Sequence, residues 1–102
     1  MSKYRTHNCG ELRTEHIGQN VKLAGWVDTV RDHGGVIFLD LRDHYGVTQT
    51  VFHDETMLEG ISRESVISVE GKVVKIDEET VNNKIATGQV EVVVDKIEVL
   101  GP

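Results

Sequence analysis

Apolar residues recur at every second position in short blocks, and glycine-bearing polar clusters separate the blocks; this period of two predicts strands. The clearest block runs from Val36 to Arg42. Ile37, Leu39 and Leu41 share one face there, while Val36, Phe38, Asp40 and Arg42 share the other. A run from Val21 to Arg31 precedes it, and a run rich in β-branched residues, Val47 to Phe52, follows. Asp32-His33-Gly34-Gly35 supplies the positive φ angles that a tight hairpin requires, and Asp43-His44-Tyr45-Gly46 ends the second strand. The three runs predict a β-meander.

The rest of the chain continues the pattern. Val21, Leu23, Gly25 and Val27 line one face of the first run, and Trp26 falls off it; a bulge at Gly25 would reset the alternation and turn Trp26 into the core. Met57, Leu58 and Ile61, within Asp54 to Arg63, are spaced for one or two helical turns interrupted by Gly60. Ser65 to Ile76 returns to strand, with a second bend expected at Gly71. Asp77 to Gly88 is a long polar loop, of the kind that more often carries function than decoration. Gln89 to Leu100 is the last strand, with Val90, Val92 and Val94 inward. Ahead of the meander, Leu12 and Ile17 offer the apolar pair of a polar segment. Glu11 to His16 there reads as a helical turn or loop covering one end of the fold, with Tyr4 and Arg5 as tail residues.

A meander of three strands, a helical connector and two more strands, with glycine bends in the first and fourth, predict an all-β fold. The expected architecture is a five-stranded Greek-key OB-fold barrel, the oligonucleotide-binding barrel, with a short helical connector between strands 3 and 4. At 102 residues the chain is read as a single domain: residues 1–20 as an N-terminal segment packing on the barrel, and 21–100 as the barrel itself. Ligands of this fold lie across strands two and three, between the first and last interstrand loops. Arg31, His33, Phe38, Gln49 and the 77–88 loop would then surround one surface. A large aromatic among arginines on a wet sheet face suits the stacking of an unpaired base; a surface phenylalanine covered by a loop is the plainer alternative.

Charge narrows the class of partner. Eleven Lys and Arg stand against seventeen Asp and Glu, a formal charge of -6. This excludes nucleic-acid binding by a general basic stripe and leaves local, specific contact. One cysteine, Cys9, rules out an intrachain disulfide and suits a reducing compartment, so the expected location is cytoplasmic. No apolar run is long enough for a membrane span or a signal peptide. His7 and Cys9 are two apart, but no further residues complete a tetrahedral set, so no metal is expected. Asp40, Asp43 and the acidic Asp77-Glu78-Glu79 read as solvated charge with no nucleophile beside a base, and His44 as a turn residue.

Several stretches together resemble a known family: Gly25-Trp26-Val27, Arg31-Asp32-His33-Gly34-Gly35, Phe38-Leu39-Asp40-Leu41-Arg42-Asp43 and Gly46 through Gln49. Tyr4-Arg5-Thr6-His7, Gly10-Glu11-Leu12-Arg13, Ala86-Thr87-Gly88 and Val90-Glu91-Val92 extend the match over essentially the whole chain. They resemble the N-terminal anticodon-binding domain of bacterial aspartyl-tRNA synthetases. The resemblance implies that the partner is a tRNA anticodon stem-loop, with Phe38 stacking on a base and Arg31, Gln49 and Glu91 reading base edges or backbone. His33 and Asn82 are expected at the same surface. Thr29 and Ile76 stand where the family usually carries arginines, and Thr80 where it often has asparagine.

The parent enzyme would be a homodimer that attaches aspartate to tRNA with ATP and magnesium. That chemistry is expected in a catalytic domain absent here, so no cofactor and no aminoacylation are expected of these residues. The alternative partner is a protein, bound by an apolar patch of Val36, Phe38, Val51 and Ile76 on an altered face; a purely structural module is a third option.

Overall fold

The computed structural model describes residues 5–63 and 65–101. Each predicted run is a strand: β1 (Asn20–His33), β2 (Val36–Arg42), β3 (Val47–Phe52), β4 (Val66–Lys75) and β5 (Val90–Gly101). They join in the order β1-β2-β3-β5-β4, and β1 closes the sheet by pairing with β4 as well as β2. The seam between β3 and β5 is parallel and short, matching Gln49–Val51 to Glu91–Val93, whereas β4 and β5 pair along their whole length. Closure is therefore uneven, and the short seam leaves a concave face between β3, β5 and the loop before β5.

Strand β1 serves two partners because it is long and kinked. Its first half pairs with β4 and its second with β2, meeting at Trp26. The register shift lies between Val27 and Thr29, so the extra residue is Asp28 and the bulge is not at Gly25. Alternation therefore runs unbroken from Val21 to Val27. Trp26 stays on the outer side, half-buried and edge-on to His44 with ring centroids 5.6 Å apart, and is not a core residue. The bend expected at Gly71 is present: the register shifts between Glu70 and Gly71, with Asp95 of β5 left over. In the β1–β2 hairpin Gly34 and Gly35 take φ of 65° and 93°, and Asp32 Oδ1 accepts from the Gly35 N–H at 3.0 Å.

Ile37, Leu39 and Leu41 point inward as the alternation requires, joined by Val90, Val92 and Val94 from β5. The segment ahead of β1 enters the same core through Cys9 and Leu12, both fully buried, while Ile17 is 42% exposed. Polar contacts pin it. Asp43 Oδ2 accepts from the Cys9 N–H at 2.8 Å, and the Thr48 hydroxyl donates to the Cys9 carbonyl at 2.7 Å. Arg5 is no tail residue, since its guanidinium lies 3.9 Å from Asp43 and over the Tyr45 ring at 5.6 Å; Tyr4 lies outside the described residues.

The connectors are tighter than the sequence suggests. Within Glu11 to His16 the helical turn is a 3-10 turn, Thr14–His16. Between β3 and β4 the helix is a single 3-10 turn, Glu55–Leu58, whose cap Asp54 accepts from the Thr56 N–H at 3.0 Å. Met57, Leu58 and Ile61 pack from this connector onto the core. The loop before β5 begins with a 3-10 turn, Glu78–Thr80, and closes on itself where the Asn82 N–H donates to the Gly88 carbonyl at 3.1 Å. A Cβ at Gly88 would lie 1.7 Å from the Asn82 carbonyl oxygen, so only glycine permits that approach. The buried Thr87 hydroxyl donates to the Val47 carbonyl and ties the loop to β3.

Candidate nucleic-acid interface

Sheet register builds the site. Thr29 lies opposite Asp40, Asp40 opposite Gln49 and Gln49 opposite Glu91, so one row of polar side chains crosses β1, β2, β3 and β5. Residues directly opposite in a sheet share a face, which puts all of them on the side away from the core. One step along, Arg31 lies opposite Phe38. His33, at the end of β1, meets Phe38 edge-on at 5.4 Å and an interplanar angle of 87°.

The row is hydrogen-bonded throughout. The Thr29 hydroxyl donates to Asp40 Oδ2 at 2.6 Å, and Arg31 pairs with the same carboxylate through Nη1 to Oδ2 at 3.1 Å and Nη2 to Oδ1 at 3.3 Å. Arg31 Nη2 also donates to Gln49 Oε1 at 3.0 Å, and Gln49 Nε2 donates to Glu91 Oε1 at 2.7 Å. Burial pushes the Glu91 carboxyl above its usual range, although the Gln49 bond and the charge of His53 pull the other way.

Between this sheet face and the 77–88 loop lies a cavity of about 840 Å³. Arg31, His33, Phe38, Gln49 and Glu91 line it from the strands and Asn82 from the loop, so the structure brings every predicted contact residue together. Ile76 and Thr80 also line it, and Lys84 adds a cation on the loop side. Thr29 acts from behind the lining, through Asp40. Lys75, at the end of β4, is outside the lining and pairs with Glu78 at 3.7 Å.

Two readings change. The apolar patch expected of an altered face is not an exposed surface: Val51 is 2% exposed and Ile76 5%. Only Val36 and Phe38 of that set are appreciably open. Asp40 and Asp43, read as solvated charge, are instead engaged: Asp40 is the partner of Arg31, and Asp43 accepts from the Cys9, Tyr45 and Gly46 N–H groups with its side chain 9% exposed. The place of Asp40 on the Phe38 face was visible in the alternation, but its pairing depended on the Asp28 bulge that aligns Thr29 with it. Elsewhere, Cys9 and His7 have separate surroundings. The Cys9 thiol faces the Ala24 carbonyl at 3.8 Å, and His7 stacks edge-on to His16 at 5.3 Å. Among the described residues no three His, Cys, Asp or Glu side chains group as metal ligands, and no helix is long and apolar enough to cross a membrane.

A five-stranded sheet with an aromatic, an arginine and an amide–carboxylate pair facing one cavity defines a nucleic-acid-binding OB-fold domain. The family model for the tRNA anticodon type of OB-fold nucleic acid binding domain matches residues 21–100, and the chain belongs to that family. It is 49% identical over 106 residues to an aspartate–tRNA(Asp/Asn) ligase of Bradyrhizobium diazoefficiens, a match covering 100% of this chain and 18% of that protein. It is 53% identical over 104 residues to the ligase of the same name from Phenylobacterium zucineum, covering 98% of this chain and 18% of the relative. Among solved structures, the asparaginyl-tRNA synthetase of Pyrococcus horikoshii superposes with a TM-score of 0.74 at 33% identity, covering 93% of this chain and 23% of that one. The resemblance to the anticodon-binding domain of aspartyl-tRNA synthetases thus holds, and the chain spans about 18% of the length of those two ligases.

Proposed function

We propose that this chain holds the unstacked anticodon loop of a tRNA and reads it for an aspartate–tRNA ligase. The observation that carries this reading is that Phe38 and the Gln49–Glu91 pair open onto one cavity. A π face beside a fixed amide–carboxylate edge stacks one base and hydrogen-bonds the edge of another. Glu91 accepts from donor groups of a base, and Asn82 closes over it from the loop. Arg31 and His33 border the same space. Lys84 compensates in part for the arginines that Thr29 and Ile76 replace, so the affinity of these residues for RNA is modest and sensitive to salt.

Attachment of aspartate with ATP and magnesium belongs to the longer polypeptide, which we place in the cytoplasm as a dimer. The test titrates the 102-residue chain with an RNA stem-loop carrying the aspartate anticodon and one with a scrambled loop, at two salt concentrations. Preference for the aspartate loop that persists in the higher salt is the expected result. Equal weak binding that vanishes with salt would remove base reading.

A further inference from the structure

The guanidinium of Arg31 is engaged before any RNA arrives. Nη1 faces Asp40 Oδ2 at 3.1 Å and Thr29 Oγ1 at 3.4 Å, while Nη2 faces Asp40 Oδ1 at 3.3 Å and Gln49 Oε1 at 3.0 Å. Two hydrogens on each nitrogen meet two acceptors each. An arginine held in this way has no free fork for the two-pronged grip on a phosphate or a guanine edge. Its effect must pass through what it holds.

We propose that Asp40, oriented by the Thr29 hydroxyl, is a positioning residue for RNA recognition: it fixes Arg31 on Gln49 Oε1 and so sets which end of the Gln49 amide faces a bound base. This rests on the anticodon-loop reading. A primary amide has two orientations of nearly equal shape, one presenting oxygen where the other presents nitrogen. At Gln49 an obligatory donor, Arg31, takes the oxygen and a carboxylate, Glu91, takes the nitrogen, so both clamps select the same orientation. What remains for a ligand is an ordered edge: a lone pair of Oε1, the second hydrogen of Nε2 and the outer oxygen of Glu91. Without Asp40 the long Arg31 side chain is released and one clamp is lost. Thr29 then has a use of its own, as the hydroxyl that turns the Asp40 carboxylate toward Arg31.

The test compares the 102-residue chain with Asp40→Asn, Thr29→Val and Thr29→Ser, each checked for folding by circular dichroism. Fluorescence anisotropy measures binding to the aspartate-anticodon stem-loop and to the scrambled loop, and NMR follows the Gln49 side-chain amide without RNA. Asp40→Asn should bind the scrambled loop at least as well as before, since the chain loses a negative charge, but lose about ten-fold in preference for the aspartate loop. Thr29→Val should lose part of that preference and Thr29→Ser retain it. In the free protein the Gln49 amide protons should shift and exchange faster in Asp40→Asn than in the parent. If Asp40→Asn does not fold, Thr29→Val against Thr29→Ser decides the matter. Tighter binding of both loops with preference intact would overturn the proposal, because Asp40 would then be masking Arg31 rather than placing it. An unchanged Gln49 amide would overturn it too, whatever RNA does. A parent chain with no loop preference would instead remove the anticodon reading on which the proposal rests.

Discussion

Gln49 Nε2 donates to Glu91 Oε1 at 2.7 Å across the short parallel seam between β3 and β5. The pair ties the shortest seam of the barrel to the site, and it keeps a partly buried carboxylate beside an amide. Burial holds the Glu91 carboxyl above its usual range, so between the ordinary and raised values the folded chain binds more protons than the unfolded one. Stability contributed by the protonated acid is therefore present at low pH and lost as pH rises through that window. Glu91→Gln should flatten this slope and raise stability at neutral pH by about a few tenths of a kcal/mol, since water screens a half-buried charge. The same change removes an acceptor, and preference for the aspartate loop should fall. Urea melts at several pH values, paired with the RNA titration, check both; a less stable Glu91→Gln at neutral pH would contradict the first.

Phe38 lies with its ring nearly perpendicular to that of His33, is partly exposed and is not part of the core. Phe38→Leu keeps most of the apolar contact but loses the π face. Base stacking on an aromatic is worth about 1–3 kcal/mol by substitution, so RNA affinity should drop by roughly ten- to hundred-fold. Thermal stability should change little. Anisotropy and a melting curve on one preparation separate the two effects, and undiminished binding would show that no base rests on Phe38.

Asp43 joins the β2–β3 turn to the segment ahead of β1. Its Oδ1 accepts from the Tyr45 and Gly46 N–H groups at 2.8 and 3.1 Å, and its Oδ2 from that of Cys9 at 2.8 Å. Removing the carboxylate strands donors on both sides. Asp43→Ala should destabilise by about 2–4 kcal/mol, and Asp43→Asn by less, because its remaining carbonyl still accepts. Chemical denaturation measures this, and equal losses in the two variants would point to packing rather than hydrogen bonding.

The strands were legible because alternation and glycine turns are local signals, and Val36 to Phe52 needed nothing else. Phe38 followed from the face that alternation assigned, whereas Arg31 and Gln49 followed from where ligands of this fold lie. The bulge was misplaced because glycine marks flexibility, whereas the register shift at Asp28 is set by how β1 must pair with β2 and β4 at once. Trp26 went wrong with it. Asp40 was unreadable for the same reason, since an ion pair between strands depends on register. Cys9 and Leu12 carry no periodicity that would reveal burial, because their segment is neither strand nor long helix, and tertiary contact alone decides it.

Cys9 gives a probe of that segment. Its thiol is fully buried, and burial together with the nearby Asp43 carboxylate pushes its pKa far above the ordinary cysteine range. Thiolate is the reactive form, so the folded chain should react with a thiol reagent about a thousand-fold more slowly than the urea-unfolded chain, at a rate set by how often the site opens. Two kinds of opening are distinguishable. If residues 5–13 detach alone, low urea will leave the rate nearly unchanged, because little surface is exposed; if the barrel must unfold, the rate will climb with urea in parallel with global unfolding. The Thr48 hydroxyl on the Cys9 carbonyl and the Asp43 carboxylate on its N–H tie the segment to β3 and to the turn before it, which favours the second outcome. Asp43→Ala cuts one of those ties and should speed the reaction by the factor its global destabilisation gives, whereas a larger increase would report detachment of the segment alone. A native rate within about ten-fold of the unfolded one would mean that the segment does not hold Cys9 in the core.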